Sequence, residues 1–301
     1  MAITTGSHPK SLWPGVKAFF GKTYAEKPLV CTMVFDEQSS TKSYEERVEE
    51  TGFGLAPVKG EGQSISYDTD AQGYTSRFVN VTYGLGAKVT MEAIEDNQYE
   101  SVAKTKASKL ARSMRQTKEN VFANILNRAF NAAYVGGDAS AMIVNNHATL
   151  DGTQSNLLTV AADLSEASLE DMLTQIRQAK DSRGLRIQLK GQKLIVSPEN
   201  EFEATRILSS VNQSGTANND INAIRELGLL PGGIVVWDYL TDVDAWFVKT
   251  DAPEGLIYQN RRAMSFDQDN DFDTSNACMK AMERYAGGWA DWRGVFGSPG
   301  V

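Results

Sequence analysis

The sequence predicts a mixed α+β protein organised around one long helix, and three observations carry that expectation. Residues Met91 to about Ala133 contain neither Gly nor Pro and consist mostly of good helix formers. A glycine-rich stretch from Gly52 to Gly73 lies between segments of extended character. Between about 160 and 250, strand-like and helix-like runs alternate, as in a compact α/β unit.

In the long helix, apolar residues return at helical spacing: Tyr99, Val102, Ala103, Ala107, Leu110, Ala111, Met114, Val121, Phe122, Ile125, Leu126, Ala129 and Phe130. Glu92, Glu95, Asp96 and Glu100 precede the bases Lys104, Lys106, Lys109, Arg112, Arg115 and Lys118, the order that suits a helix dipole. Gly136-Gly137 is the expected terminator. Such a helix would be roughly 60 Å long and needs a long partner against its stripe.

Residues 1 to about 35 read as an irregular arm punctuated by Gly6, Pro9, Pro14, Gly15, Gly21 and Pro28. With Trp13, Phe19 and Phe20 it is too apolar for a free tail, so it should lie on a surface, its own or a neighbour's. Thr32 to Val48 looks extended, with Met33 to Phe35 as a strand. Gly52, Gly54, Gly60 and Gly62 then interrupt a polar segment in which Ile65 and Tyr67 alternate with polar partners. Phe78 to Leu85 returns as a strand. The segment is a two-stranded excursion with a mobile middle, and an isolated hairpin is marginal in water. It therefore needs an external surface, most economically another copy.

Asn145 to Leu158 reads as loop, and a helix opens near Ser165 or Ser168 and runs through Lys180. Lys193 to Ser197 is a buried strand closed by Pro198, and Glu199 to Ser209 is helical with Phe202, Ala204, Ile207 and Leu208 on its stripe. A polar loop spans Asn212 to Asp220. Further strands follow at Gly232–Trp237, Trp246–Val248, Gly255–Tyr258, Met264–Phe272 and Ala277–Tyr285, the late ones covering the long helix.

Composition excludes several classes. With 301 residues and 41% hydrophobic content the chain can bury a large core, which is expected to divide between two domains. Mean hydropathy is −0.35, no apolar run reaches membrane-span length, and no export signal opens the chain. Two distant cysteines, Cys31 and Cys278, argue against a disulfide framework. A net charge of −8 disfavours a nucleic-acid grip, and the basic run Lys104 to Lys118 reads as a solvated face. Asp267, Asp269, Asp271 and Asp273 read as an exposed acidic ridge, because Phe272 and Cys278 stand where a calcium loop needs Gly and an acid. His147 has no acid or thiol beside it in sequence and reads as a surface-loop residue. Gly84-Leu85-Gly86 does not complete a phosphate loop. No catalytic residue, cofactor or metal site is expected, and an enzyme is not the expectation.

The order of parts resembles the major capsid proteins of tailed bacteriophages. The most specific segments are Thr82-Tyr83-Gly84-Leu85-Gly86 with Val89-Thr90, then Lys193 to Pro198 with Phe202-Glu203-Ala204, then Asp244 to Val248, and the closing Glu283 to Gly294. The resemblance implies an α+β capsid fold of five parts: N-terminal arm (1–40), extended loop with flanking strands (41–90), spine helix of a peripheral domain (91–145), inserted α/β axial domain (146–245) and returning peripheral strands (246–301). It implies a structural subunit that self-assembles as hexamers and pentamers of an icosahedral head, enclosing double-stranded DNA without sequence-specific binding and without a membrane. Scaffolding, portal and decoration proteins are expected as separate chains, with assembly in the bacterial host cytoplasm and residence in the virion. Trp13, Phe19, Phe20, Gly52, Gly54, Lys59, Gly60 and Gly62 are the expected interface residues. The alternatives are a nanocompartment shell protein of similar fold, distinguished by cargo, and a soluble α/β enzyme, distinguished by a compact monomer with a defined pocket.

Overall fold

A computed structural model describes residues 13–90, 92, 99–212, 221–271 and 276–301, with side chains left aside at 13–15, 99–102 and 270. In chain order the elements are α1 (Trp13–Tyr24), α2 (Cys31–Val34), β1 (Asp36–Ser39), β2 (Tyr44–Glu50), β3 (Gln72–Val79), β4 (Val81–Val89) and the long α3 (Tyr99–Asn127). Then come β5 (His147–Thr149), β6 (Gly152–Gln154), α4 (Glu166–Gln178), β7 (Gly191–Val196), α5 (Glu201–Ser209), α6 (Ala223–Glu226) and β8 (Ile234–Val236). The chain closes with β9 (Trp246–Thr250), β10 (Leu256–Asn270), β11 (Ala277–Trp289) and β12 (Val295–Ser298).

Two four-stranded sheets carry the fold. The first has the order β1-β10-β11-β4, with β1 parallel to β10 and the other neighbours antiparallel. The second has the order β12-β9-β7-β8, with β7 and β8 parallel. The late strands expected as separate pieces are one long hairpin, β10–β11, whose register shifts between Asn260 and Ser265 absorb its bends. The expected 246–301 segment divides between the sheets: β10 and β11 lie in the first, whereas β9 and β12 pair in the second. The cause is the 3₁₀ turn at Trp292–Gly294, whose Asp291 carboxylate accepts the Arg293 amide and turns the chain back.

α3 spans 29 residues, about 45 Å, and is shorter than expected at its end. Its start at 91–98 lies outside the described residues, except Glu92. At its C-terminus the Asn127 side chain accepts from the Thr241 amide at 3.0 Å and donates to the Tyr239 carbonyl at 3.1 Å. Two residues later the Ala129 carbonyl takes the Ile143 amide, so the chain unwinds into turns before Gly136.

The arm corrects the irregular reading, because it contains α1 and α2. Cys31–Val34 is helix where a strand was expected, and the spine explains it. Glu119 on α3 accepts from the Val30 amide at 2.6 Å, the Cys31 amide at 3.2 Å and Trp237 Nε1 at 3.0 Å. A buried carboxylate thus satisfies amides at the start of α2 that a strand would need to pair elsewhere. Burial raises the Glu119 pKa, and these three donors oppose the rise.

α3 is packed along its described side chains, from Ala103 to Leu126. Ala103, Ala107, Leu110, Ala111 and Met114 cluster with Val16 and Phe20 of α1 and with Phe266, Met279 and Ala281 of the first sheet. Further along, Phe122 and Leu126 join Phe35, Met142, Trp237, Phe247, Tyr258 and Tyr285 in a core that touches both sheets. Gly287 of β11 allows this approach, since a Cβ there would stand 2.4 Å from Phe122. A third core fills the second sheet's unit around Leu169, Met172, Ile176, Leu194, Trp246 and Phe296. Ser165 caps α4 with Ser168 in a reciprocal box.

Four side chains depart from expectation. Lys118 is buried rather than solvated: it ion-pairs with Glu283 at 2.5 Å and donates to Tyr24 Oη at 3.0 Å. Burial alone would lower its pKa, but the Glu283 carboxylate with Tyr24 and Tyr258 outweighs that and holds it above the ordinary lysine range. His147 is buried on β5, stacked on Trp292 at 4.2 Å between centroids. Its Nδ1 lies 2.6 Å from Asp138 Oδ2 and its Nε2 lies 3.0 Å from Asn156 Oδ1. The segment read as loop folds there into the β5–β6 hairpin, and the acid that sequence adjacency lacked is Asp138, in the preceding turn closed by the Val135–Ala141 bridge. Phe202 on α5 is 75% exposed, while Ala204 and Ile207 face inward. In the acidic ridge, Asp271 pairs with Lys88 at 3.2 Å, whereas Phe272 and Asp273 lie outside the described residues. No helix among the described residues is long and apolar enough to cross a membrane.

Candidate assembly surface

The surface is built from β2, β3 and the segment between them. β2 and β3 pair antiparallel from Tyr44↔Val79 to Glu50↔Gln72. Their alternation leaves one face against the body: Phe78 is buried with Ile257, Ala286 and Ala290. Tyr44, Val48 and Val79 face outward, with Arg77 over the Tyr44 ring at 4.3 Å and paired to Glu46 at 2.7 Å.

Beyond the ribbon, residues 51–71 contain no strand. Two clasps tie the base of this excursion. The Asp70 carboxylate accepts from Thr51 Oγ1 at 3.0 Å and the Gly52 amide at 2.9 Å. Asp68 Oδ2 accepts from the Gly54 amide at 2.7 Å and Arg183 Nη1 at 2.6 Å, while Arg183 Nη2 donates to the Thr69 carbonyl at 2.6 Å. The Gly54 and Thr69 amides, then Arg183, hold the Asp68 carboxyl below the ordinary carboxylate range. Beside them Ser182 donates to the Glu49 carboxylate, which also lies 3.5 Å from Arg293.

Past the clasps the apolar side chains have no cover. Val58 is 99% exposed and Tyr67 93%, and Phe53, Leu55 and Ile65 are also exposed. Monomeric proteins rarely show such a concentration without a partner for it. Gly52 and Gly62 sit at φ +69° and +76°, in the left-handed region that other residues enter at a cost. Gly54 and Gly60 have no such backbone demand; a Cβ at either would meet Asp68 or Gln63 side-chain atoms at 3.3 and 3.2 Å.

The remaining expected interface residues divide. Lys59 is exposed within the excursion. Phe19 is exposed on α1, whereas Phe20, 3% exposed, stacks on Phe266 at 4.5 Å and belongs to the subunit's own core, a correction to its expected outward role. Adjacent residues on a helix point to different sides, so both could not face one neighbour. The Trp13 side chain lies outside the described ones. Sequence reading missed the Arg183 and Glu49 anchors, which adjacency does not reveal. Lys118 had a signal, since 114, 118 and 122 are four residues apart on the apolar stripe.

This arrangement defines a subunit whose outward features are apolar and unpartnered, in a fold made of a helical spine and two sheets. The chain belongs to the phage capsid protein family, whose model matches residues 73–297. Its role is that of a structural major capsid subunit. Solved structures with the same fold include the virus-like particle from Pyrococcus furiosus, with a TM-score of 0.53 at 11% identity, covering 95% of this chain and 98% of that one. The procapsid of bacteriophage JBD30 gives a TM-score of 0.51 at 16% identity over 98% of this chain and 76% of that one. The capsid of the empty GTA particle gives 0.53 at 9% identity over 90% and 89%. No curated protein matches the sequence.

Proposed function

We propose that this chain assembles as hexamers and pentamers into a closed icosahedral head around double-stranded DNA. α3 and the first sheet form a peripheral domain, and the unit built on the second sheet an axial domain towards the capsomer centre. Separate scaffolding, portal and decoration proteins complete the particle, which is assembled in the host cytoplasm and resides in the virion. The observation that carries this reading is the excursion: five exposed large apolar residues, Phe53, Leu55, Val58, Ile65 and Tyr67, beyond a ribbon tied only at its base. Laid over a neighbouring subunit, they exchange water for apolar contact, at about 25 cal/mol per Å². Subunits repeating one head-to-tail contact close into rings. An acidic chain encloses DNA without adhering to its phosphates.

Light scattering on the purified full chain, followed by electron microscopy, tests the reading. It expects particles many subunits in mass with regular shells; a monodisperse monomer at all concentrations contradicts it. Phe19→Ser, on the exposed side of α1, should lower particle yield with the thermal midpoint of the subunit little changed, and unchanged particles would count against an assembly role for that face of the arm.

A further inference from the structure

The second sheet's unit presents a cation-lined groove at one end of its strands and an acidic turn at the other. β7 and β8 run parallel and β9 runs against them, so the starts of β7 and β8 share one edge and their C-terminal ends share the other. At the first edge, α4 and the turn at 227–231 enclose an open groove of about 720 Å³. Arg177, Arg186 and Lys190 line it with Leu227 and Leu229, and Glu170 is the single acid. Among the described residues none of these three cations is held in an ion pair within the chain. Leu227 is exposed at the rim.

At the opposite edge stands the turn Asp242-Val243-Asp244, exposed at all three residues. Glu199 and Glu201, on either side of Asn200 that bonds the turn, are exposed beside it. The turn is held in shape: the Val243 carbonyl accepts from Ser197 Oγ at 3.0 Å and Asn200 Nδ2 at 2.8 Å, and Asp242 Oδ1 accepts from the Asp244 amide at 3.2 Å. It presents an apolar residue flanked by two carboxylates, the chemical complement of two leucines ringed by three cations.

We propose that the groove receives the Asp242–Asp244 turn of a second copy of this chain, with Val243 against Leu227 and Leu229 and the two carboxylates among Arg177, Arg186 and Lys190. A head-to-tail contact requires two different, complementary patches on each copy, and these are at opposite strand ends of one sheet. Complementary charge fixes register and rejects wrong orientations, since like charges facing across a contact are unfavourable. The inference rests on the shell reading above and names one of its contacts.

The test uses the full chain. Arg177→Glu with Arg186→Glu should lower particle yield at least about tenfold, with the subunit's thermal midpoint little changed. Adding Asp242→Lys and Asp244→Lys to that variant should restore assembly. Independently, Leu227→Cys with Val243→Cys should give disulfide-linked ladders in oxidised particles, absent from either single variant. Full assembly by the charge-reversed variant, no rescue by the compensating changes, or no ladder in intact particles would each overturn the pairing while leaving the shell reading standing. Lack of rescue is also the outcome expected of a nucleic-acid or foreign-protein occupant. A wild-type chain that never associates would overturn both.

Discussion

The spine and the excursion meet the same physical demand in opposite ways. α3 places its apolar stripe against α1, the first sheet and Trp237, and even its buried charges find partners in the chain: Lys118 with Glu283, Glu119 with two amides and an indole. The excursion satisfies its backbone at the base through Asp68 and Asp70, then leaves Leu55, Val58 and Tyr67 in water. The difference shows which parts of the molecule are finished by folding and which by association. Changes in the spine should therefore be read in stability, and changes in the excursion in assembly.

The largest effect on stability is expected at the buried ion pair. Glu283→Gln leaves the Lys118 ammonium among Tyr24, Tyr258 and Tyr285 without its counter-charge and should cost about 3 kcal/mol or more, measured by urea unfolding of the subunit. Replacing both partners by Met should cost less than that single change, and an equal or larger loss would show that the pair is not coupled in this way.

A triple change in the excursion, Leu55→Ser, Val58→Ser and Tyr67→Ser, should leave subunit stability within about 0.5 kcal/mol, because these side chains are exposed before association. Particle yield should fall sharply in sedimentation. A marked loss of subunit stability would mean the excursion packs on its own body.

Within the excursion the glycines are not equivalent. Gly52→Ala and Gly62→Ala should each cost roughly 1 kcal/mol through their positive φ, and assembly should suffer, whereas Gly54→Ala and Gly60→Ala should be milder. Equal effects at all four positions would point to flexibility alone rather than the two left-handed turns.

The smallest expected effect is acid opening of the clasp. A carboxyl whose pKa is lowered in the folded state contributes stability above its unfolded value and loses it as pH falls through the folded one. Asp68 is lowered, so the Gly54 amide should stay protected through the ordinary carboxylate range and open only in stronger acid. Opening in step with unperturbed carboxylates, seen by amide exchange, would contradict the role given to the Gly54 and Thr69 donors.

Periodicity made α3 legible, and glycine clustering between strand patterns marked the excursion. What sequence could not show came from contacts distant along the chain. The helical turn at Cys31–Val34 depends on a carboxylate 88 residues away, and Cys31 itself lies under that group, its thiol pushed up to about 12 by burial and then by Glu119. His147 lacked a sequence neighbour of the right chemistry, yet the fold brings Asp138, in the turn before β5, and Asn156, just past β6, to its two nitrogens. Val295 to Ser298 follows the first sheet's hairpin in sequence but pairs with β9, because the turn at Trp292 redirects it. Local pattern reported elements; partners across sheets decided where they went.

Amide hydrogen exchange over residues 55–67, past the Asp68 clasp, compared between dissociated subunits and assembled particles, tests the central claim most directly. The account predicts rapid exchange in the subunit and strong slowing in the particle, with α3 protected in both. Slow exchange of 55–67 in the lone subunit, or no change on assembly, would contradict it.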